Sequence, residues 1–164
     1  MAFLMCPREG GTPIAFSFLI ILFSISIVLL FYCLKTYNIS TVCFLECSFY
    51  KVLDNLDRSQ GYIGIGKCDR SLLKGWYRFQ RQAGKQMSQS CVPKQRCGTD
   101  APGWLAEGHP KKSDGAVKRK VCFHWSYSCC RFSSYIRVRN CGAFYVYELD
   151  STRFCSLRYC GDGM

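Results

Sequence analysis

Thirteen cysteines lie among 164 residues, and ten of them fall between Cys47 and Cys160. Thiols at that density offer disulfide bonding, metal ligation or nucleophilic attack. The ten follow an uncharged hydrophobic stretch at 13–34, and an even set of thiols beyond a membrane-targeting segment reads as a disulfide framework in an oxidising compartment. Zinc fits less well, because Cys91 and Cys97 are six apart, Cys129 and Cys130 are adjacent, and the paired short-spaced knuckles of structural zinc sites are missing. A thiol enzyme needs a histidine beside its cysteine, and the chain offers only His109 and His124. Both read as structural, His109 before Pro110 in a turn and His124 beside Trp125 on or near a strand. Asp69, Asp100 and Asp114 sit among turn residues, where aspartate hydrogen-bonds its own backbone. Gly61, Gly64 and Gly66 lack both the strand-to-helix context and the following Gly-Lys-Ser/Thr of a phosphate loop. The chain is expected to be no enzyme, with no metal and no cofactor.

The elements that position these thiols begin with the hydrophobic stretch. Its 22 uncharged residues, at about 1.5 Å rise each, span a bilayer core of roughly 30 Å. Two readings remain open: an uncleaved transmembrane signal anchor, or a signal peptide cleaved near Ser24 and Ser26 with Arg8 in its n-region. As an anchor, Arg8 and the terminal amine against Lys35 favour a cytoplasmic N-terminus, a type II topology. The sequon at Asn38 is a candidate N-glycan acceptor, and its occupancy would favour cleavage because the site lies so close to the apolar stretch. The expected division is a head at 1–12, the anchor or signal peptide at 13–34, a linker at 35–46, one cysteine-rich domain at 47–160 and a tail at 161–164. Either reading places the domain outside the cell or at its surface, secreted or membrane-held through 13–34.

Within the domain, short strands and turns dominate. Gly75, Trp76, Tyr77, Arg78 and Phe79 read as an aromatic strand. Tyr135, Ile136, Arg137, Val138 and Arg139 alternate apolar and basic residues, which suits one dry and one wet cationic face. The run 144–149 follows as a hairpin partner, and 118–124 alternates in the same way. The run 98–103, with Pro102, reads as loop, and 50–58 carries a partial helical period. The fold expected is a small disulfide-rich, mainly β domain preceded by a single N-terminal hydrophobic helix, transmembrane or signal.

Lys and Arg number 22 against 11 Asp and Glu, and 20 against 9 of these lie from Cys47 onward, so the domain carries the whole net charge of +11. Such a surface suits an anionic glycan or a microbial surface, while the targeting segment and the thiols argue against nucleic acid. Arg137 and Arg139, with Lys118 and Lys120 on a neighbouring strand, form the candidate binding patch. The competing reading is a solvated strand face. Trp76, Trp104 and Trp125 are candidate sugar platforms or core residues. The oligomeric state is not legible.

Read in order, Cys47, Cys68 with Asp69, the run Gly75–Phe79, Cys91 with Val92 and Pro93, Cys97, Pro102 and Trp104 lead on to His109 with Pro110 and to Cys122 with His124 and Trp125. The vicinal Cys129 and Cys130, Cys141 with Tyr145 and Tyr147, and Cys155 with Tyr159 and Cys160 follow. This pattern resembles the cysteine-rich domain shared by uromodulin, the major glycoprotein of pancreatic secretory granule membranes and the liver-specific zona pellucida protein, over nearly all of 47–160. The resemblance implies a β-rich, extracellular, non-enzymatic module. It also implies five bridges: Cys47 to Cys141, Cys68 to Cys155, Cys91 to Cys129, Cys97 to Cys160 and Cys122 to Cys130. Spacing alone leaves the pairing of ten cysteines open. The EGF-like and zona pellucida companions of that family are not found before Met164, so filament assembly is not expected of this chain. Where uromodulin carries a glycan acceptor between the residues matching Trp104 and Pro110, this chain has Ala106, Glu107 and Gly108, which cannot be one. The function expected is extracellular recognition or adhesion without catalysis. The alternative is a soluble basic host-defence or polyanion-binding protein released by signal cleavage.

Overall fold

Period-two alternation and aromatic strand formers shape the second half of the chain, and the computed structural model describes residues 44–164. The hydrophobic segment at 13–34, the sequon Asn38, and Cys6, Cys33 and Cys43 lie outside the described residues. No helix among the described residues is long and apolar enough to cross a membrane. A one-turn helix α1 (Leu45–Ser48) precedes strands β1 (Lys51–Leu53), β2 (Gly75–Phe79), β3 (Ala101–Leu105), β4 (Ala116–Trp125), β5 (Ser128–Asn140), β6 (Tyr145–Leu149) and β7 (Leu157–Tyr159). They form one seven-stranded sheet in the order β1-β2-β6-β5-β4-β3-β7. The two outer pairs, β1 with β2 and β3 with β7, are parallel, and the inner pairs are antiparallel.

Register fixes which side chains are dry. Tyr77 and Phe79, Tyr147 and Leu149, Ile136 and Val138, Val121 and Phe123, and Leu157 and Tyr159 share one face and form the core with Leu53, Met87 and Leu105. Burying each such side chain stabilises by roughly 1.5 to 3 kcal/mol. Phe123 packs directly over Gly103, where an added Cβ would sit 2.6 Å from its ring. That close approach corrects the loop expected at 98–103: glycine here serves a buried strand, β3, and not a turn. The helical period at 50–58 also fails. Leu53 enters the core while Tyr50 stacks on Phe144, and Leu56 is 45% exposed. These apolar residues separate to different surroundings, so β1 and a 3-10 turn (Leu56–Arg58) form in place of a helix.

The long connection before β2 is held by charge. Arg58 donates from Nη1 to Asp69 Oδ2 at 2.9 Å and from Nη2 to Oδ1 at 2.7 Å. Asp69 Oδ2 also accepts the Tyr159 N–H of β7 at 3.0 Å. Arg158 reaches Asp57 Oδ1 at 3.1 Å and the Cys97 carbonyl at 2.9 Å. Burial and the neighbouring Arg58 pull the Arg158 guanidinium below its ordinary value, opposed by Asp57 and Asp69. Two cations therefore face two carboxylates with little solvent, the arrangement in which losing one partner is costly.

Five disulfides complete the frame: Cys47–Cys141, Cys68–Cys155, Cys91–Cys129, Cys97–Cys160 and Cys122–Cys130. These are the pairs that the resemblance implies. Cys47–Cys141 and Cys68–Cys155 close separations of 94 and 87 residues, where loop closure alone is worth about 4 to 5 kcal/mol in the chain-entropy view. Cys129 and Cys130 splay from one strand to different partners. Leu45–Met164 form one compact unit. Residues 161–164, read as a tail, are part of it: Gly161 bridges Ser59 and Met87, and the Gly163 carbonyl accepts the Gly61 N–H at 3.1 Å.

Asp69→Ala should lower stability by about 3 to 5 kcal/mol, since it leaves Arg58 buried without its carboxylate. Denaturant melts of the oxidised chain check this, and a loss under about 1 kcal/mol would show that the ion pair is not structural. Cys129→Ser and Cys130→Ser should each cause retention of the chain in the secretory pathway, because each breaks a different bridge. Normal export of either variant in a secretion assay contradicts the pairing.

Candidate functional site

The face of the sheet opposite the core is where the basic residues gather. Pairing runs straight across four strands: Trp76 of β2 lies opposite Glu148 of β6, Glu148 opposite Arg137 of β5, and Arg137 opposite Lys118 of β4. Lys120 lies opposite Tyr135 in the next position of the same face. The structure thus brings Lys118, Lys120 and Arg137 together, as their spacing suggests. The Lys118 ammonium sits 4.5 Å from the Tyr135 ring centroid, and the Arg137 guanidinium 5.6 Å from that of Trp76. Arg137 also faces Glu148 at 3.8 Å with its side chain 53% exposed, a loose surface pair of little energetic weight. These cations rest on aromatic faces and stay open to solvent. A groove of about 510 Å³ runs beside them, lined by Lys74, Lys118, Tyr135, Arg137, Glu148 and Asp150.

Arg139 does not belong to this patch. The alternation that places it beside Arg137 is correct, but α1 lies over its end of the face, and Glu46 Oε1 accepts from Arg139 Nη1 at 2.8 Å. The Arg139 side chain is only 7% exposed. Glu46, assigned to the linker, neutralises it, and the Cys47–Cys141 bridge holds that contact in place. Arg78, in the same region, lies 3.8 Å from the Phe144 ring centroid and donates to the Tyr50 hydroxyl at 2.9 Å. The expected wet stripe is wet only from Arg137 towards Tyr135. Sequence reasoning misses Lys74, although it shares the period-two phase of Trp76 and Arg78.

Other candidate groups have structural partners. His109 Nε2 lies 2.7 Å from the Tyr147 hydroxyl, whose oxygen accepts the Met87 N–H at 2.9 Å. The hydroxyl proton is then directed at a neutral imidazole. Burial pushes Tyr147 well above its ordinary value and lowers His109 to about 4, with Asp162 pulling the histidine upward. His124 Nδ1 donates to the Val92 carbonyl at 2.8 Å and sits 3.5 Å from Cys91 Sγ. Cys91, His124 and Cys129 present atoms within 4.8 Å of one another in ligand-like fashion. The two sulfurs are bonded to each other, however, so neither is the thiolate that zinc requires. Trp104 Nε1 donates to the Cys129 carbonyl at 2.9 Å, whereas Trp125 is 39% exposed.

The His109 ring stays neutral in the folded chain down to about pH 4, while the unfolded chain protonates it near 6.5. The unfolded state binds more protons in that window, so this contribution to stability falls as pH drops from about 6.5 to about 4. His109→Gln, which retains an acceptor for Tyr147, should flatten that part of a melting-temperature profile. An unchanged slope would assign the acid sensitivity elsewhere.

The family model for the uromodulin-like cysteine-rich domain matches residues 77–161. Uromodulin of Mus musculus is 47% identical over 123 residues, covering 74% of this chain and 19% of that protein. Pancreatic secretory granule membrane major glycoprotein GP2 of Canis lupus familiaris is 44% identical over 126 residues, covering 76% and 25%, and that of Homo sapiens 43% over 121 residues, covering 73% and 22%. The chain thus spans a quarter or less of the length of these relatives. Eight of the ten bridged cysteines lie in the matched span. Cys47, Cys68, Arg58 and Asp69 precede it, so the structural unit starts at Leu45, well before the span.

Proposed function

Since this chain belongs to the uromodulin-like domain family, we propose that it is an extracellular, non-catalytic recognition module that captures anionic glycans on the open face of its sheet. The observation that carries this reading is the row from Trp76 through Arg137 to Lys118, with solvent-open cations held over aromatic rings beside a groove of about 510 Å³. Guanidinium forks match sulfate or carboxylate groups, and ring faces accept the apolar side of a sugar. A net charge of +11 favours encounter with polyanions. Nucleophiles and acid–base pairs find no support, because His109 is held neutral by Tyr147 and Cys91 is bridged to Cys129. The bridges suit the secretory pathway, consistent with relatives whose names describe a secretory granule membrane glycoprotein. Attachment through 13–34 and glycosylation at Asn38 belong to the same reading.

Heparin chromatography tests the site. The chain should be retained at physiological salt and elute as salt rises. Lys118→Ala with Arg137→Ala should move elution to clearly lower salt, whereas Arg139→Ala should leave elution unchanged and lower the melting temperature. Equal elution of the double variant and the parent overturns the site. Lack of retention at physiological salt overturns the glycan reading.

A further inference from the structure

Strand β5 is 13 residues long and β6 only five. Their pairing covers 137–140 of β5 and ends at Arg137 opposite Glu148. Over 131–136 the opposite side of β5 pairs with β4 without a break in register from Phe132 to Arg139. The β6 side of that stretch has no strand beside it among the described residues. Two contacts show which residues point their backbone there. The Cys141 N–H bonds the Phe144 carbonyl at 2.8 Å, so the odd positions near the β5–β6 turn face β6. The Lys120 carbonyl accepts the Ala106 N–H at 2.9 Å, away from β5. Lys120 and Tyr135 are therefore a non-hydrogen-bonded pair of the β4–β5 ladder. By alternation, Ser133 and Tyr135 direct their N–H and C=O groups to the open edge.

The surroundings of that edge differ between the two sheet faces. On the core side a groove of about 490 Å³ lies between β5 and 151–154, with Phe123, Phe132, Phe154 and Leu157 in its lining. Phe132 and Phe154 are 5.5 Å apart by ring centroids. The mouth carries Arg131 and Arg153, for which no carboxylate lies within ion-pair distance among the described residues. On the outer face the odd positions of β5 continue to Arg137 beside Lys118. Glu148 and Asp150 lie past Tyr135, at the far end. A strand seated here meets an apolar wall on one face and cations on the other.

We propose that the free edge of β5 at 131–135 is a docking site for an extended peptide strand of alternating apolar and acidic residues, added to the sheet in line with β6. Main-chain bonds to Ser133 and Tyr135 supply register, apolar side chains pack on Phe132 and Phe154, and an acidic side chain meets Arg131 and Arg153. The edge spans about 17 Å at roughly 3.4 Å per residue, room for five residues. Charge argues against a second copy of the chain, which would bring two sets of arginines together within a molecule of net charge +11. The site is separate from the glycan row and does not depend on it.

The probe is a blocked pentapeptide alternating valine and aspartate, added to the isotope-labelled full chain with its bridges intact. Amide resonances of Ser133 and Tyr135 should shift and become protected from hydrogen exchange. Peptide N-methylated on its bonding edge should bind at least about tenfold more weakly, the effect of roughly one or two lost hydrogen bonds. Ser133→Pro removes a donor that no ladder uses and should abolish protection with the fold intact, and Arg131→Glu with Arg153→Glu should weaken binding comparably. The proposal is overturned by an absence of shifts at millimolar peptide, by equal binding of the methylated peptide, or by full protection in Ser133→Pro. It is also overturned if edge protection grows with protein concentration without peptide, which would make the occupant a second copy, or if only heparin fragments shift these amides.

Discussion

The buried pairing of Arg58 with Asp69 is the contact on which the sheet's weakest edge depends. β7 is three residues long and joins the sheet only through a parallel ladder with β3. Unaided, such a strand is marginal. Asp69 gives it a side-chain acceptor for the Tyr159 N–H, a backbone N–H to the Leu157 carbonyl at 3.0 Å and a carbonyl for the Thr152 N–H at 3.0 Å. The same carboxylate is held in place by both nitrogens of the Arg58 fork. One residue thus couples the connection before β2 to both ends of the segment carrying β7. With β7 fixed, Tyr159 and Leu157 close the core, and the Tyr159 ring packs 5.7 Å from that of Phe123.

The disulfides act on the same weakness at larger scale. A domain of this size buries a limited fraction of its surface, and the connections at 54–74 and 80–100 contain little regular structure. Cys68–Cys155 and Cys97–Cys160 attach both connections to the segment around β7. Cys47–Cys141 fastens α1 to the β5–β6 turn. That last bridge has an electrostatic result. It sets Glu46 against Arg139 and removes one cation from the surface, leaving the exposed charge concentrated at Arg137, Lys118 and Lys120. Covalent scaffolding thereby shapes the recognition surface as well as stability.

Much is legible because short-range rules apply. The run Gly75–Phe79 is a strand, 135–139 and 144–149 are a hairpin, and Lys118 lies across from Arg137 as period two requires. Asp69 reads as an ordinary turn residue because nothing local distinguishes it; its role needs Arg58, 11 residues away, and Tyr159, 90 away. The proline and glycine at 102 and 103 look like loop for the same reason: the ring of Phe123 that makes glycine necessary is supplied by another strand.

From the sequence alone come the family, the mainly β character and the alternation that places Arg137 and Lys118 on a polar face, because residue type and period two are local properties of the chain. Tertiary structure decided the rest. It buried Arg139 under Glu46, kept Arg137 open, gave Asp69 its central place and left the β5 edge bare where β6 ends. Each of these outcomes depends on which distant segment comes to lie against a given side chain, and local preference does not encode that.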